Sequence, residues 1–286
     1  MAQITAADVK QLREQTGAGM MDCKRVLQDA EGDLKRAVEL LRERGLAKAG
    51  KREGRATSEG LIALAVDAGD GGMVEVGCET DFVARTDDFG SLVGELASAV
   101  AADASIDAPE KLLETEIGGV KVANRLTEAI AKLGENVVIK RVARIGLDGA
   151  GIVGGYLHAG GKLGVIVGLS GSGGGDVGTI AKDLAMHVAA ADPSPVAVDR
   201  GGVSSGVLDS ERGIYRAQAE QEGKPEKVID KIVEGKIGKY LAEVVLLEQA
   251  FVKDPDQTEG DLLRGADADA SITAFHRFKL GEVSDA

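Results

Sequence analysis

The chain has 286 residues, which is enough for two domains or for one domain with appendages. Hydrophobic residues make up 44% and charged residues 28%, as in a globular protein, and the net charge of −13 argues against a protein that binds nucleic acid over its whole surface. The two cysteines are far apart, which predicts free thiols and no zinc site. No apolar run reaches ~18 residues and the first residues do not resemble a signal peptide, so we expect a cytoplasmic protein without a membrane span.

Residues 1–44 are predicted to form three short helices. The sequence from Thr5 to Asp8 resembles a capping box before the first helix, and breaks at Thr16–Gly19 and Glu31–Asp33 separate the three helices. The buried stripe of the third helix is predicted to contain Leu34, Ala37, Val38 and Leu41.

The segment that follows the three helices marks the end of a first domain. Residues 45–59 are rich in glycine, lysine and arginine, which is typical of a linker or of a fraying helix end. We therefore predict a domain of residues 1–54, called the head below. Residues 1–55 hold twelve Lys/Arg and nine Asp/Glu, so the head is mildly basic on an otherwise acidic chain, which suits a contact surface.

Residues 55–148 are predicted to form a first core subdomain that begins with a β-hairpin. Its strands are Leu61–Val66 and Met73–Glu79, and the turn between them is expected at Asp67–Gly72 with its tip at Gly69–Gly72. The patterns that follow predict two helices and a third strand, at residues 88–102, 122–134 and 136–145.

Residues 149–286 are predicted to form a second core subdomain that repeats this order. Its hairpin, helix and third strand are expected at residues 154–170, 179–190 and 272–281. The two helices share the pattern Leu-Ala-x-x-Val-Ala, beginning at Leu96 and at Leu184, which indicates a weak internal duplication. Chance similarity between two alanine-rich helices is the alternative.

The second subdomain contains an insertion at about residues 205–247. Two helical patterns, Val207–Glu222 and Glu226–Leu247, surround the turn residues Gly223–Pro225 and predict an antiparallel αα-hairpin. The predicted fold class is therefore α+β: a three-helix module, then two related hairpin–helix–strand subdomains with an inserted helical hairpin.

A glycine-rich segment, Gly173–Gly178, fits the pattern G-x-G-x-x-G between a strand and a helix, and Asp199 follows at about the distance of a ribose-binding acid. A dinucleotide-binding enzyme is thus one hypothesis. The preceding strand is expected to pair in a hairpin, whereas a parallel sheet requires crossovers, so a loop without that function is the favoured interpretation.

The three histidines do not form a catalytic group that spacing can identify. His187 lies in an apolar helical pattern and is predicted to pack in the interior, and His276 lies in a strand. His158 follows Tyr156-Leu157 at a hairpin tip, where side chains are commonly exposed, so it is the histidine most suited to a contact.

Four separated motifs resemble the bacterial elongation factor Ts family in the family's order: LREQTGAGMMDCKRVL, ETDFVART, AMHVAA and KIVEGKIGKYLAEVVLLEQAFVKD. The resemblance runs from Ile4 to about Gly281. It implies a head of the ubiquitin-associated type and guanine nucleotide exchange on elongation factor Tu: binding of the Tu–GDP complex, release of GDP, and displacement when GTP binds. It further implies no covalent chemistry, no cofactor or nucleotide of its own, and no direct nucleic acid or membrane partner.

The resemblance also assigns residues. Those that reach toward the Mg²⁺ site of Tu in this family match Thr80, Asp81, Phe82 and Val83. The residues of the head that contact a helix of the Tu nucleotide domain in this family match Arg13, Met20 and Met21. His158 is a weaker match for a contact with the third domain of Tu. A further C-terminal helix, present in some members, is expected to be missing after Gly281.

Besides the dinucleotide-binding enzyme, three alternatives remain open at this point. Phe82 could belong to the hydrophobic core of the chain itself. One of Met20 and Met21 is expected to pack in the core of the head. The chain could also be a scaffold that binds a Tu-like partner without exchanging its nucleotide.

Overall fold

The structure, a computed structural model, describes residues 4–52, 54–171, 177–267 and 269–282, without the side chains of residues 46, 48 and 49. The chain divides into two compact units. The first contains the described residues within 1–63, 74–143 and 279–286, and the second contains those within 64–73 and 144–278. No helix in the described ranges is both long enough and apolar enough to cross a membrane. The predicted domain boundaries at residues 54 and 148 stay predictions.

The fold is α+β, as predicted. Its helices are α1 (Ala6–Thr16), α2 (Met20–Asp29), α3 (Leu34–Gly50), α4 (Asp81–Ala84), α5 (Asp87–Ala102), α6 (Pro109–Glu114), α7 (Val122–Leu133), α8 (Val177–Ala190), α9 (Ser205–Gln221), α10 (Glu226–Val244) and α11 (Glu259–Ala266). Its strands are β1 (Glu59–Asp67), β2 (Asp70–Cys78), β3 (Glu116–Ile117), β4 (Val120–Lys121), β5 (Val137–Gly146), β6 (Gly151–Leu157), β7 (Leu163–Ser170), β8 (Ala250–Phe251), β9 (Asp254–Thr258) and β10 (Ser271–Lys279).

The head consists of α1, α2 and α3 around a small core of its own. The capping box predicted for α1 is present: the Asp8 carboxylate accepts the Thr5 N–H at 2.8 Å, and the Thr5 hydroxyl accepts the Asp8 N–H at 3.3 Å. Helix α3 continues to Gly50, so residues 45–50 are a helix end rather than a linker. Val38 was predicted to be buried in α3, but it is 37% exposed, because the core contacts of α3 are made mainly by Ala37.

The first sheet has the strand order β1–β2–β5. The turn lies within the predicted range Asp67–Gly72, but the predicted tip at Gly69–Gly72 is displaced, since the observed tip is Ala68–Gly69 and residues 70–72 lie in β2. Gly71 serves close packing instead of a turn: a Cβ there would lie 2.5 Å from a methyl group of Val153. The turn is made by Ala68, which adopts a left-handed φ of 43°.

The second sheet has the order β10–β7–β6. In each sheet the second strand of the hairpin, β2 or β7, is central, and it pairs on its other edge with a strand from later in the chain, β5 or β10. Strands β6 and β7 are antiparallel, with Gly154 opposite Val167. The buried face of β7 packs on α8 through Val165, Val167, Leu184 and Val188. The equal strand order confirms that the two subdomains are related in architecture.

The inserted αα-hairpin is also confirmed, as α9 and α10 joined through Gly223 at a φ of 69°. Its interior is the apolar stripe of α10, Ile229, Val233, Ile237 and Leu241, which packs against Ala219 of α9. The helices and strands that the sequence did not reveal are α4, α6, the β3–β4 and β8–β9 pairs and α11. They have between two and eight residues, which is too short for hydrophobic periodicity to identify.

His187 is buried, as predicted, but its contacts are polar as well as apolar. Its Nε2 lies 3.0 Å from Gln249 Oε1, and its Nδ1 lies 2.7 Å from an oxygen of the fully buried Glu259 carboxyl. The 2.7 Å contact between His187 Nδ1 and the Glu259 oxygen requires a proton on one of these two atoms. Burial raises the pKa of Glu259, while the hydrogen bond and the charge of His187 oppose that shift.

We expect His187→Ala to lower the free energy of unfolding by about 3–5 kcal/mol at pH 7, because it leaves a buried carboxylate without a partner. Glu259→Ala should cost less, since a neutral His187 can still accept the Val252 N–H at 3.3 Å. The raised pKa of Glu259 means that the charge penalty in His187→Ala grows as the pH rises above the ordinary value of 4.5. Urea unfolding at pH 4.5 and pH 7 measures both effects. An equal loss of stability in His187→Ala at the two pH values would contradict its assignment to the charge of Glu259.

Candidate functional site

The motif ETDFVART forms a corner, Glu79–Thr86, between strand β2 and helix α5. Its centre is α4, a single helical turn that Thr80 caps by accepting the Val83 N–H at 3.4 Å. Thr86 caps α5 in the same way, accepting the Phe89 N–H at 3.3 Å. Two successive caps so close together turn the chain sharply.

The side chains of the corner divide into an inner and an outer set. Val83 and Ala84 are buried, and this fixes which side of the single turn faces the interior. Because successive residues in a helix are ~100° apart, Phe82 is directed away from Val83. Phe82 is 81% exposed, so the alternative that it belongs to the core is wrong.

Asp81 also faces outward and is only partly exposed. Its carboxylate forms an ion pair at 3.0 Å with Arg85, one turn later in the sequence. Both side chains contact water, so the pair contributes little to stability. The corner thus presents an aromatic ring beside a carboxylate whose only charged partner among the described residues is an exposed arginine.

The corner is tied to the end of α7 by two carboxylates that bind backbone N–H groups in opposite directions. Glu135 accepts the N–H groups of Glu79 and Thr80 at 3.0 and 2.9 Å, and also the Thr80 hydroxyl at 2.6 Å. Glu79 in turn accepts the Asn136 N–H at 2.7 Å. Sequence reasoning missed Glu135, since it lies 55 residues from Thr80 and only the pairing of β2 with β5 brings them together.

These contacts change the acidity of the neighbouring groups. The Asn136 N–H holds the pKa of the Glu79 carboxyl below its usual value, with burial opposing and Arg55 assisting. Burial, together with the carboxylates of Glu135 and Glu59, raises the pKa of the Cys78 thiol to about 11. Cys78 is therefore an uncharged core side chain, which donates to the Thr80 carbonyl at 3.2 Å.

The head carries the second group of predicted contact residues. Met20 and Met21 begin α2 and are 57% and 65% exposed. The expectation that one of them packs in the head was wrong, because Cys23, Val26 and Leu27 fill the inward face of this helix. Arg13 is exposed as well.

His158 lies at the exposed tip between β6 and β7, as predicted. The Tyr156 hydroxyl lies 2.9 Å from its Nδ1 and fixes the orientation of the ring. Thr80 to Val83 and the three head residues are in the first compact unit, and His158 is in the second. The four residues of the corner lie together in and beside the single turn α4.

The glycine pattern of the dinucleotide hypothesis lies largely outside the described residues, at positions 173–176. The strand before it is antiparallel to its neighbours in the hairpin, which is unlike a dinucleotide-binding sheet. Asp199 caps a short 3-10 turn, accepting the Gly202 N–H at 3.1 Å. Its carboxylate therefore has a local structural role.

Comparison with known proteins decides the family. The family model described as Elongation factor TS matches residues 79–282. The chain is 44% identical, over 98% of its length, to all of the elongation factor Ts of Chlorobium phaeobacteroides strain BS1. It is 46% identical, again over 98% of its length, to 92% of the elongation factor Ts of Thioalkalivibrio sulfidiphilus strain HL-EbGR7. The chain belongs to the elongation factor Ts family.

Membership of the elongation factor Ts family confirms the resemblance seen in the sequence. It implies a role as a nucleotide exchange factor for elongation factor Tu in translation elongation, without covalent chemistry. The family match begins at Glu79, the first residue of the corner. The head lies before the residues that the family model matches, whereas the alignment with the Chlorobium relative covers 98% of the chain.

We expect the contribution of Glu79 to stability to depend on pH. Its pKa in the folded chain is below the ordinary value of 4.5, so its contribution is complete above that value and is lost as the pH falls through the folded pKa. Urea unfolding of the natural chain and of Glu79→Gln should therefore differ near pH 7 and converge as the medium becomes acidic. A difference that stays constant with pH would contradict the role of its charge.

Proposed function

We propose that the chain releases GDP from elongation factor Tu by inserting Phe82 near the Mg²⁺ and phosphate site of the partner, and that it stays bound until GTP binds. The observation that carries this proposal is the exposure of Phe82 at 81% on a backbone corner held by Glu135. Family membership supplies the partner, and the corner supplies a means of acting on it.

The four corner residues have two different roles in this proposal. Thr80 and Val83 face inward, one bonded to Glu135 and the other buried, so they hold the turn. Phe82 and Asp81 face outward and would contact Tu. Burying a phenylalanine ring on binding stabilises a complex by roughly 1.5–3 kcal/mol, which is available here because the free chain leaves the ring in water.

Asp81 would act through its charge. Mg²⁺ beside a bound nucleotide is held largely by phosphates, waters and one or two carboxylates. A further carboxylate close to that shell competes for the ion and repels the phosphates. Only an exposed salt bridge to Arg85 has to be given up for this, and exposed pairs are weak.

Exchange then follows from negative coupling between two ligands of Tu. If the chain weakens the binding of GDP, GDP weakens the binding of the chain by the same factor. Each ~1.4 kcal/mol of coupling changes an affinity tenfold. Displacement by GTP is the same coupling in the other direction, so no covalent step is needed.

The head and the β6–β7 tip would supply further contacts. Met20 and Met21 expose flexible apolar side chains that adapt to a partner surface, and Arg13 adds a positive charge. His158, with its ring oriented by Tyr156, would contact another part of Tu. These regions bind the partner, whereas the corner disturbs the nucleotide site.

We expect Phe82→Ala to slow the release of labelled GDP from Tu by the equivalent of about 2–4 kcal/mol, as for a buried interface anchor. Its melting temperature should stay close to that of the natural chain, since an exposed site contributes under ~1 kcal/mol to stability. Asp81→Asn keeps the shape and removes the charge, so it should have a smaller effect and isolates the contribution of the carboxylate.

Phe89, seven positions later and fully buried, is the matched control. Phe89→Ala should lose about 3–5 kcal/mol of stability as a core truncation. Release of GDP at the natural rate by Phe82→Ala, together with a melting loss like that of Phe89→Ala, would defeat the proposal. Binding of Tu without any release of GDP by the natural chain would favour the scaffold alternative.

The head makes a separate prediction. The double variant Met20→Ala, Met21→Ala should weaken the complex with Tu by about tenfold or more, because it truncates two exposed apolar contacts. Its melting temperature should not fall, since neither side chain lies in the core of the head. Titration calorimetry measures the affinity, and Val26→Ala, in the same helix but buried, provides the opposite pattern of stability loss.

A further inference from the structure

Glu135 holds three donors, and all three belong to the two residues that precede Asp81. One carboxylate oxygen accepts both backbone N–H groups, of Glu79 at 3.0 Å and of Thr80 at 2.9 Å. The other accepts the Thr80 hydroxyl at 2.6 Å. Thr80 is also the cap of α4, so the carboxylate holds the residue from which the turn starts.

The backbone of Glu135 is itself fixed on both sides. Before it, Gly134 ends α7 in the left-handed region at a φ of 82°, and its N–H bonds to the Ile130 carbonyl at 3.1 Å. After it, the Asn136 N–H is held by Glu79, and the Asn136 amide donates to the Arg55 carbonyl at 3.0 Å. The carboxylate is therefore presented from a rigid position.

The turn that bears Phe82 depends on such outside support. Helix α4 has four residues, and a helix of one turn gains too few hydrogen bonds to hold its own conformation. Burial of Val83 and Ala84 fixes its inner face, but apolar contacts alone permit small rotations. A carboxylate bound to the cap residue Thr80 at two points, and to Glu79 before it at a third, removes that freedom.

We propose that Glu135 is a positioning residue for nucleotide exchange: it fixes the start of α4 and so sets the direction in which Phe82 enters the partner. This inference rests on the proposed function. The side chain does not have to touch Tu, because it acts through Thr80 on the ring two residues later.

The geometry predicts a graded series of variants. Glu135→Gln keeps one oxygen for the two N–H groups and loses the charge, so it should preserve much of the support. Glu135→Ala removes all three bonds. Glu128, in helix α7 just before Glu135, has a 59% exposed side chain and lies 4.0 Å from Arg42, so Glu128→Ala is the matched control for loss of a carboxylate.

The experiment measures the maximal rate of GDP release from Tu at saturating concentrations of each variant. We expect Glu135→Ala to lower this rate by about tenfold, since a small misplacement of an acting group is costly, Glu135→Gln to lower it less, and Glu128→Ala to leave it unchanged. Amide hydrogen exchange of the free chain should be faster at Glu79 and Thr80 in Glu135→Ala than in the control.

A double variant distinguishes positioning from general destabilisation. If Glu135 acts through the ring, adding Glu135→Ala to Phe82→Ala should slow release no further. The positioning role is wrong if the losses in GDP release rate from the two substitutions multiply in the double variant. It is also wrong if Glu135→Ala releases GDP at the natural rate while Phe82→Ala is slow. Either result leaves the proposed function in place. An unaltered rate in Phe82→Ala overturns the proposed function itself, and the role of Glu135 with it.

Discussion

The last turn of α7 and the residues that lead from it to β5, 130–136 and called the junction below, anchor both of the surfaces in the first unit that we assign to partner binding. Its last residues bind the corner through Glu135 and Asn136. Lys132 lies in the middle of the junction: its side chain packs over Gly17, and its Nζ forms an ion pair with Asp88 at 2.8 Å. The Ile130 carbonyl accepts a hydrogen bond from Arg52, just after α3, at 3.0 Å. One short segment thereby supports the head at Gly17 and Arg52 and the corner at Thr80.

Under the proposed function, this arrangement gives a physical meaning to the exposure of Phe82. A single exposed aromatic ring costs a folded chain little, and a flexible one would lose conformational entropy when it binds. Here the backbone on which the ring sits is already ordered by Glu135 and by buried Val83. Most of the ordering cost is therefore met during folding, and more of the energy of burying the ring remains available to weaken the binding of GDP.

The sequence predicted what depends on periodicity and could not predict what depends on distant pairing. Alternating apolar residues located the hairpins, and helical patterns located α5, α8 and α10 close to their true bounds. The exposure of Phe82 follows from which face of one turn is buried, and a four-residue helix shows no periodicity from which to infer it. Glu135 and Glu259 were missed for a related reason, because their partners Thr80 and His187 are 55 and more residues away. The displaced hairpin turn shows another limit: glycine marks close packing at Gly71 as readily as it marks a turn.

Besides the inserted αα-hairpin, the two related subdomains differ where the first one carries its proposed function. Both sheets have the same strand order, and in both a segment leads from the central strand to the following helix. In the first subdomain that segment is the corner with its exposed ring. In the second it has the sequence GSGGGD, residues 171–176, which contains no aromatic side chain and lies mostly outside the described residues. The second subdomain exposes His158 in its hairpin loop, whereas the hairpin loop of the first consists of Ala68 and Gly69. Two subdomains with the same strand order can thus present different contact surfaces when their connecting segments differ. The action on the nucleotide site is therefore expected from the segment between β2 and α5, and not from the sheet architecture that both subdomains share.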